Sequence, residues 1–256
     1  MLFILYINDI QKPTDRRVYN CIYADDTAVV ATSRSPSLVS QLLQAQTNKI
    51  TNYYLKWGLE VNADKTQAVI FTNRHITTPP INIFGIQIDW SNVLKYLGIF
   101  MDSKFNYRVH IKHIREKAIN RLKALRPLLT HNDLTPDTKL TLYKSYIRPI
   151  LTYGSPLWLG AANTNKKTLE AVQNRAIRMC ADVPRYVSIS SIDPVIRIEP
   201  LLDHATHLCR GIANKIKNHL NPNMGDILVD RGTGLRGGHY RSTADVLLGS
   251  LSLDPG

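Results

Sequence analysis

The residues best suited to chemistry in this 256-residue sequence are the paired carboxylates of "CIYADDTAVVA", residues 21–31. Asp25 and Asp26 stand between two apolar, β-branched runs. The pattern predicts strands over Val18–Tyr23 and Thr27–Thr32, with Ala24, Asp25 and Asp26 at the bend. Adjacent carboxylates repel, and an unpaired charge resists burial. A bend that keeps both must leave them to water or offer them to a cation. Successive side chains of an extended chain point in opposite directions, so the turn decides how far Asp26 can join Asp25. Taken alone, Asp-Asp at a turn is most often a water-covered bend, so the surrounding sequence has to decide.

Three further groups could work with such a bend. Lys65 sits in the polar turn of "LEVNADKTQAVIF" and reads equally as a solvated turn lysine. Tyr96, Leu97 and Gly98 of "YLGI" offer a glycine to a tight turn, although glycine in a strand is also common at a bulge. Arg108, Lys112, Arg115 and Arg121 belong to a basic segment whose apolar residues Ile111, Ile114, Ala118, Leu122 and Leu125 recur at helical spacing.

The elements that must position these groups fall into two kinds. Before about Met101 the signals are short. A helix in "SRSPSLVSQLLQAQTNKITNYYLKWG" has Pro in its first turn and stops at Gly58. Two short strands flank a turn at Asn62–Asp64, a hairpin turns at Gly85 in "INIFGIQID", and "NVLKYLGIFMD" is a further strand. The opening "MLFILYINDI" reads as the end of a buried helix, and Asn8 and Asp9 interrupt it too early for a signal peptide or a membrane span. Beyond Met101 the period becomes helical. One helix ends at Pro127, a second starts near Pro136 and is interrupted or kinked at Pro149, and a third buries Leu169, Val172, Ala176 and Cys180. The fold class is therefore α+β: an antiparallel sheet with packed helices, then an all-helical region.

Charge follows the same division. The formal net charge is +12, and residues 104–185 hold 16 lysines and arginines against 5 aspartates and glutamates. An excess of that size predicts a polyanionic partner bound by its backbone rather than an ordinary solvated surface. Three widely spaced cysteines, Cys21, Cys180 and Cys209, match no zinc or disulfide framework and suit a reducing compartment.

The order of these motifs resembles the reverse transcriptases of jockey-like non-LTR (LINE-type) retrotransposons. "LFILYINDI", "YADDTAVVA", "LEVNADKTQAVIF", "LKYLGIFMD" and "SYIRPILTYGSPLW" carry the likeness, which extends over roughly residues 1–215. The resemblance implies an RNA-directed DNA polymerase in which Asp25, with Asp26 in support, holds Mg²⁺ (or Mn²⁺). Tyr23, Ala24 and Lys65 would lie at the incoming deoxynucleoside triphosphate, and Tyr96, Leu97 and Gly98 would form the primer grip. Arg108, Lys112, Arg115 and Arg121 would hold phosphates of the hybrid between RNA template and DNA primer. Transfer to a primer 3′-hydroxyl needs charge neutralised on the attacking and leaving oxygens, and Mg²⁺ asks few protein ligands when phosphates supply the rest.

By this resemblance residues 1–105 are a partial polymerase palm, 106–215 a basic, thumb-like helical region, and 216–256 a poorly ordered tail. The family's palm uses another aspartate on an earlier strand, before the segment that "LFILYINDI" matches. Asp9 and Asp64 stand in for it only by default, since neither has a strand context. The expectation is a carboxy-terminal portion that does not polymerise alone. Tyr143, Tyr146, Tyr153 and Trp158 are interleaved with the cations and could stack on bases, although helical spacing favours the core. The competing readings are a non-catalytic nucleic-acid-binding module, in which the aspartates are a relic, and a structural protein with a basic surface. No membrane partner is expected, and the compartment is nuclear or cytoplasmic.

Overall fold

A computed structural model describes residue 5, residues 7–192 and residues 196–219. The chain divides into two compact units, Met1–Lys104 and Phe105–Gly256. The readings of residues 1–4 and of a tail over 216–256 lie wholly or mostly outside the described residues.

In the first unit, β1 (Val18–Tyr23) and β2 (Asp26–Ala31) form an antiparallel hairpin that pairs Tyr23 with Asp26 and Val18 with Ala31. The helix α1 (Pro36–Lys56) follows, with Pro in its first turn as the sequence predicts. Val29 of the hairpin packs with Ile10, Ile50 and Tyr54, which ties the hairpin to α1. The alternating faces explain why. Val18, Asn20, Thr27 and Val29 share the side that meets the helix, while Tyr19, Cys21, Tyr23, Asp26 and Val30 share the exposed side.

After α1 the structure departs from one expectation. Leu59–Val61 forms no strand; Ala63–Lys65 is a single 3₁₀ turn capped by Asn62, and only β3 (Ala68–Val69) is extended. Ala63 is drawn into a small core with Ile81, Ile83 and Ile88, and the Asn62 cap lets the chain turn early. β4 (Ile81–Ile83) and β5 (Ile86–Ile88) form the hairpin expected at Gly85. β6 (Trp90–Ser91) pairs parallel with β3. The segment read as one further strand is a hairpin of β7 (Val93–Tyr96) and β8 (Ile99–Asp102), turning at Leu97–Gly98. Both turn residues have positive φ, 48° and 75°, the geometry that matches the right-handed twist of paired strands. Among the described residues the strands thus form four separate pairs, three of them antiparallel, rather than one continuous sheet.

The second unit is helical. It comprises α2 (Arg108–Leu129), α3 (Pro136–Tyr146), α4 (Arg148–Thr152), α5 (Ser155–Trp158), α6 (Asn163–Cys180), α7 (Ile189–Ile192) and α8 (Leu201–Lys217). The first helix continues through Pro127 instead of ending there. A proline so near the end removes one hydrogen bond, and continuing the helix buries Leu129 completely, worth about 2 kcal/mol. The second predicted helix breaks at Ile147, ahead of Pro149, and again at Gly154. The helix α8 was not read from the sequence, although Leu201, Ala205, Cys209, Ala213 and Ile216 are buried at helical spacing.

The core of this unit is continuous and deep. Tyr143, Ile147, Leu151, Trp158, Leu169 and Ala176 have no exposed surface. Two of its polar side chains are paired inside: Tyr143 Oη donates to Gln173 Oε1 at 2.6 Å, and Trp158 Nε1 donates to the Tyr153 carbonyl at 2.8 Å. Tyr143 and Trp158 are therefore core residues, whereas Tyr146 and Tyr153 remain about half exposed.

Candidate active site

The carboxylates sit where a two-residue turn has to be made. Because Tyr23 pairs with Asp26, only Ala24 and Asp25 lie in the bend, and Asp26 is the first residue of β2. The bend is thus shorter than the three residues predicted. Ala24 adopts φ of 51°, a left-handed conformation that costs a residue with a Cβ roughly 1–2 kcal/mol. Local strain of this kind persists only where the surroundings impose it, here the six-pair ladder below the turn. Ala24, Asp25 and Asp26 are all exposed, and the Tyr23 side chain keeps 66% of its surface open.

Two contacts fix the tip from outside the turn. The hydroxyls of Thr27 and Tyr54 are hydrogen-bonded at 2.8 Å, so α1 holds the residue next to Asp26. Tyr96 Oη donates to the Cys21 carbonyl at 3.5 Å, which brings the "YLGI" hairpin against β1. Burial first, then the neighbouring Cys21 and Asp26, push the Tyr96 phenol above its ordinary pKa. The phenol therefore stays protonated as a neutral donor beside the hairpin.

The lysine turn joins the same arrangement indirectly. Asn62 Oδ1 accepts from the Lys65 amide at 3.0 Å and leaves the Lys65 side chain exposed. Two residues on, Gln67 Oε1 accepts from the Lys95 amide at 2.9 Å, which links that turn to β7. Lys95 in turn lies over the Phe100 ring, 5.8 Å from its centroid. The structure thus brings Tyr96 to the hairpin that carries Asp26. No hydrogen bond or ion pair joins Lys65 to Asp25 or Asp26. Tyr54, Thr27 and Gln67 were missed from the sequence, where nothing but their polarity beside apolar runs marks them.

The donor chemistry of the tip suits a hard cation. Two adjacent, exposed carboxylates offer oxygen ligands of the kind Mg²⁺ takes alongside water and phosphate. No group of three or more metal-ligating side chains forms among the described residues, so Asp9 and Asp64 do not join the pair there.

In the helical unit, Arg108, Lys112 and Arg121 are exposed and Arg115 is half-buried. Helical spacing places Arg108, Lys112 and Arg115 on one flank of α2, while Arg121 lies about 140° away around the axis. The four cations expected to act together therefore occupy two flanks. Lys112 approaches Glu116 at 4.0 Å, an exposed pair of little energetic consequence.

Comparison with known proteins agrees with the order of motifs. Residues 1–101 match the family model described as reverse transcriptase (RNA-dependent DNA polymerase). The chain is 24% identical to the probable RNA-directed DNA polymerase from transposon X-element of Drosophila melanogaster, over 86% of this chain and 25% of that protein. It is 27% identical to the RNA-directed DNA polymerase from mobile element jockey of the same species, over 78% of this chain and 22% of that protein. The jockey polymerase of Drosophila funebris is 26% identical over 84% of this chain and 24% of its own length. The chain thus spans about a quarter of the length of the curated relatives it matches. No solved structure matches it. No helix among the described residues is long and apolar enough to cross a membrane. Residues 1–101 thus carry a reverse transcriptase segment, and over most of its length the chain is similar to the RNA-directed DNA polymerases of jockey and related mobile elements.

Proposed function

We propose that the chain supplies the carboxylate hairpin, the primer-side turn and the hybrid-holding helices of an RNA-directed DNA polymerase that extends a primer 3′-hydroxyl. The observation that carries this reading is the Tyr96–Cys21 hydrogen bond, which sets the "YLGI" turn beside the strand pair that ends in Asp25 and Asp26. Residues 1–105 are a partial palm and residues 106–215 a thumb-like region. In the palm, Asp25 is the principal ligand and Asp26 the supporting one for Mg²⁺ or Mn²⁺. The ion, when bound, neutralises negative charge that develops on the reacting oxygens.

The chain's own groups do the rest. Tyr23 and Ala24 shape the floor beside the nucleotide. Lys65, on a capped turn with a free side chain, neutralises triphosphate charge or hands a proton to the leaving pyrophosphate. Leu97 and Gly98 present backbone to the primer strand. The flank of Arg108, Lys112 and Arg115, with Arg121 on the other side of α2, meets phosphates of an RNA–DNA hybrid without reading its sequence. A reducing compartment, nuclear or cytoplasmic, suits the three thiols.

Two carboxylates are fewer than nucleotidyl transfer in this family calls for, so the 256 residues by themselves are inactive in this reading. A primer-extension assay with and without Mg²⁺, comparing wild type with Asp25→Ala, is expected to show no incorporation by either. Mg²⁺-dependent incorporation that the substitution abolishes would show an active polymerase. A second reading, a non-catalytic nucleic-acid-binding module, is favoured by the concentration of cations in residues 104–185. The two separate by hybrid binding. Binding that requires Mg²⁺ and both carboxylates supports the polymerase part, and binding indifferent to them supports the module.

A further inference from the structure

We infer that the foot of the β1–β2 hairpin, at the opposite end from the carboxylates, is a second binding surface for a nucleic-acid backbone, formed by Lys12, Arg16, Arg17, Arg34 and Lys49. It belongs to the first unit, whereas the helical cations belong to the second. Its test reads binding rather than synthesis, so it stands or falls separately from the polymerase reading.

Hydrogen bonds hold these residues at the open end of the ladder and along its adjoining α1 flank. The Thr32 amide donates to the Arg17 carbonyl at 2.9 Å, which closes the open end of the hairpin and sets Arg16 and Arg17 beside the Ser33–Arg34 exit. The segment before β1 is pinned to α1. Gln46 Nε2 donates to the Gln11 carbonyl at 3.2 Å, and Lys49 Nζ donates to Thr14 Oγ1 at 3.4 Å. Lys12 lies between those two attachments, and the Gln11 carbonyl also accepts from Asn20 Nδ2 at 3.4 Å. Arg16, Arg17 and Arg34 therefore border the open end of the strand pair, while Lys12 and Lys49 flank it on the α1 side. Lys12, Arg16, Arg17 and Arg34 are exposed, and Lys49 is half-buried.

The charge there is unbalanced. Arg17 takes Asp15 in a bidentate pair, with Nε to Oδ1 at 3.0 Å and the second nitrogen to Oδ2 at 2.6 Å. That pair uses the one carboxylate of the Gln11–Arg17 segment, and the first turn of α1 contains no acidic residue. Among the described residues Lys12, Arg16, Arg34 and Lys49 have no carboxylate partner. Like charges collected without a counter-ion destabilise the compact state unless a polyanion visits them. A backbone of evenly spaced phosphates is the ligand this chemistry fits. The hairpin itself sets the spacing, since six residues of strand separate foot and tip by about 20 Å. A strand whose reacting end lay at Asp25 would reach the foot several nucleotides away.

The experiment titrates a fluorescein-labelled single-stranded RNA with the full chain at several salt concentrations. Each lost phosphate contact on a single strand lowers the slope of log affinity against log salt by about 0.7. The variant Lys12→Ala/Arg16→Ala/Arg34→Ala is expected to lower the slope by about 2 and to weaken binding at least tenfold at moderate salt. Arg16→Lys/Arg34→Lys is expected to keep most of the wild-type slope, which separates lost charge from misfolding. Arg108→Ala/Lys112→Ala is expected to reduce the slope further when combined with the triple variant. An unchanged slope in a triple variant with wild-type circular dichroism would overturn the inference. So would unchanged RNA binding accompanied by lost binding to phosphatidylserine vesicles, which would assign the patch to a membrane surface.

Discussion

In the helical unit, Tyr143, Ile147, Leu151, Trp158 and Leu169 are wholly removed from solvent. In the unit with the carboxylates, the best-covered apolar side chain among the described residues, Ile83, keeps 3% of its surface, and Tyr19, Tyr23 and Val30 stand open on one face of the hairpin. The first arrangement is a core in which apolar burial and internal hydrogen bonds support each other. The second consists of short strand pairs on two small clusters, held in place by single side-chain ties such as Thr27–Tyr54 and Gln67–Lys95. Two-stranded pairs of this size are marginal without packing on a helix. The comparison teaches that the paired carboxylates are displayed on the thinly supported unit, while the fully buried side chains lie in the other.

The largest test of that division is Trp158→Ala. It removes a fully buried ring and the donor to the Tyr153 carbonyl, and is expected to cost about 3–5 kcal/mol, read as a fall in the thermal midpoint of the helical signal. A wild-type midpoint would mean the helical core does not dominate stability.

An intermediate effect comes from His110, which has no exposed surface and whose Nε2 lies 3.3 Å from the Tyr153 carbonyl. Burial lowers its pKa below the ordinary value, with the Tyr153 hydrogen bond opposing and His113 adding to the depression. At a pH above the unfolded-state value of about 6.5 both states are neutral there and His110 adds no pH dependence. As pH falls below that value the unfolded chain takes the proton first. Stability then declines by at most about 1.4 kcal/mol per unit until the folded pKa is reached. His110→Leu is expected to flatten the chemical-denaturation stability between pH 6.5 and 5. An identical slope in the variant would place the acid sensitivity elsewhere.

The smallest effect belongs to the hairpin. Ala24→Gly relieves the left-handed conformation at a lower intrinsic cost and is expected to stabilise the hairpin by about 0.5–1 kcal/mol. Slower amide exchange at Val29 and Val30 would show it. Faster exchange would mean that the turn relies on contacts of the Ala24 methyl group.

The sequence and the structure agree best where a local pattern suffices. The β1–β2 hairpin, the Gly85 turn, α1 and the buried stripe of α2 all follow from alternation, helical spacing and punctuation by glycine or proline. The errors occur where a distant partner decides. Leu59–Val61 fails as a strand because the chain turns down at Ala63 into a core made with Ile81, Ile83 and Ile88. Pro127 fails as a terminator because Leu129 has a place in the helical interior. In the candidate site, the carboxylates and the "YLGI" turn were legible as motifs. Tyr54, Thr27 and Gln67 were not, since each acts through a residue some thirty positions away.

The turn of two residues between Tyr23 and Asp26 also limits how this sequence can vary. With every pair of the ladder counted from that closure, a single inserted or deleted residue would slide β2 by one position. Asp26 would then face the α1 side, and Thr27 would lose Tyr54. Side-chain identities in the bend can change one at a time, but its length cannot, so natural or engineered variants that keep the fold should carry substitutions there and no gaps.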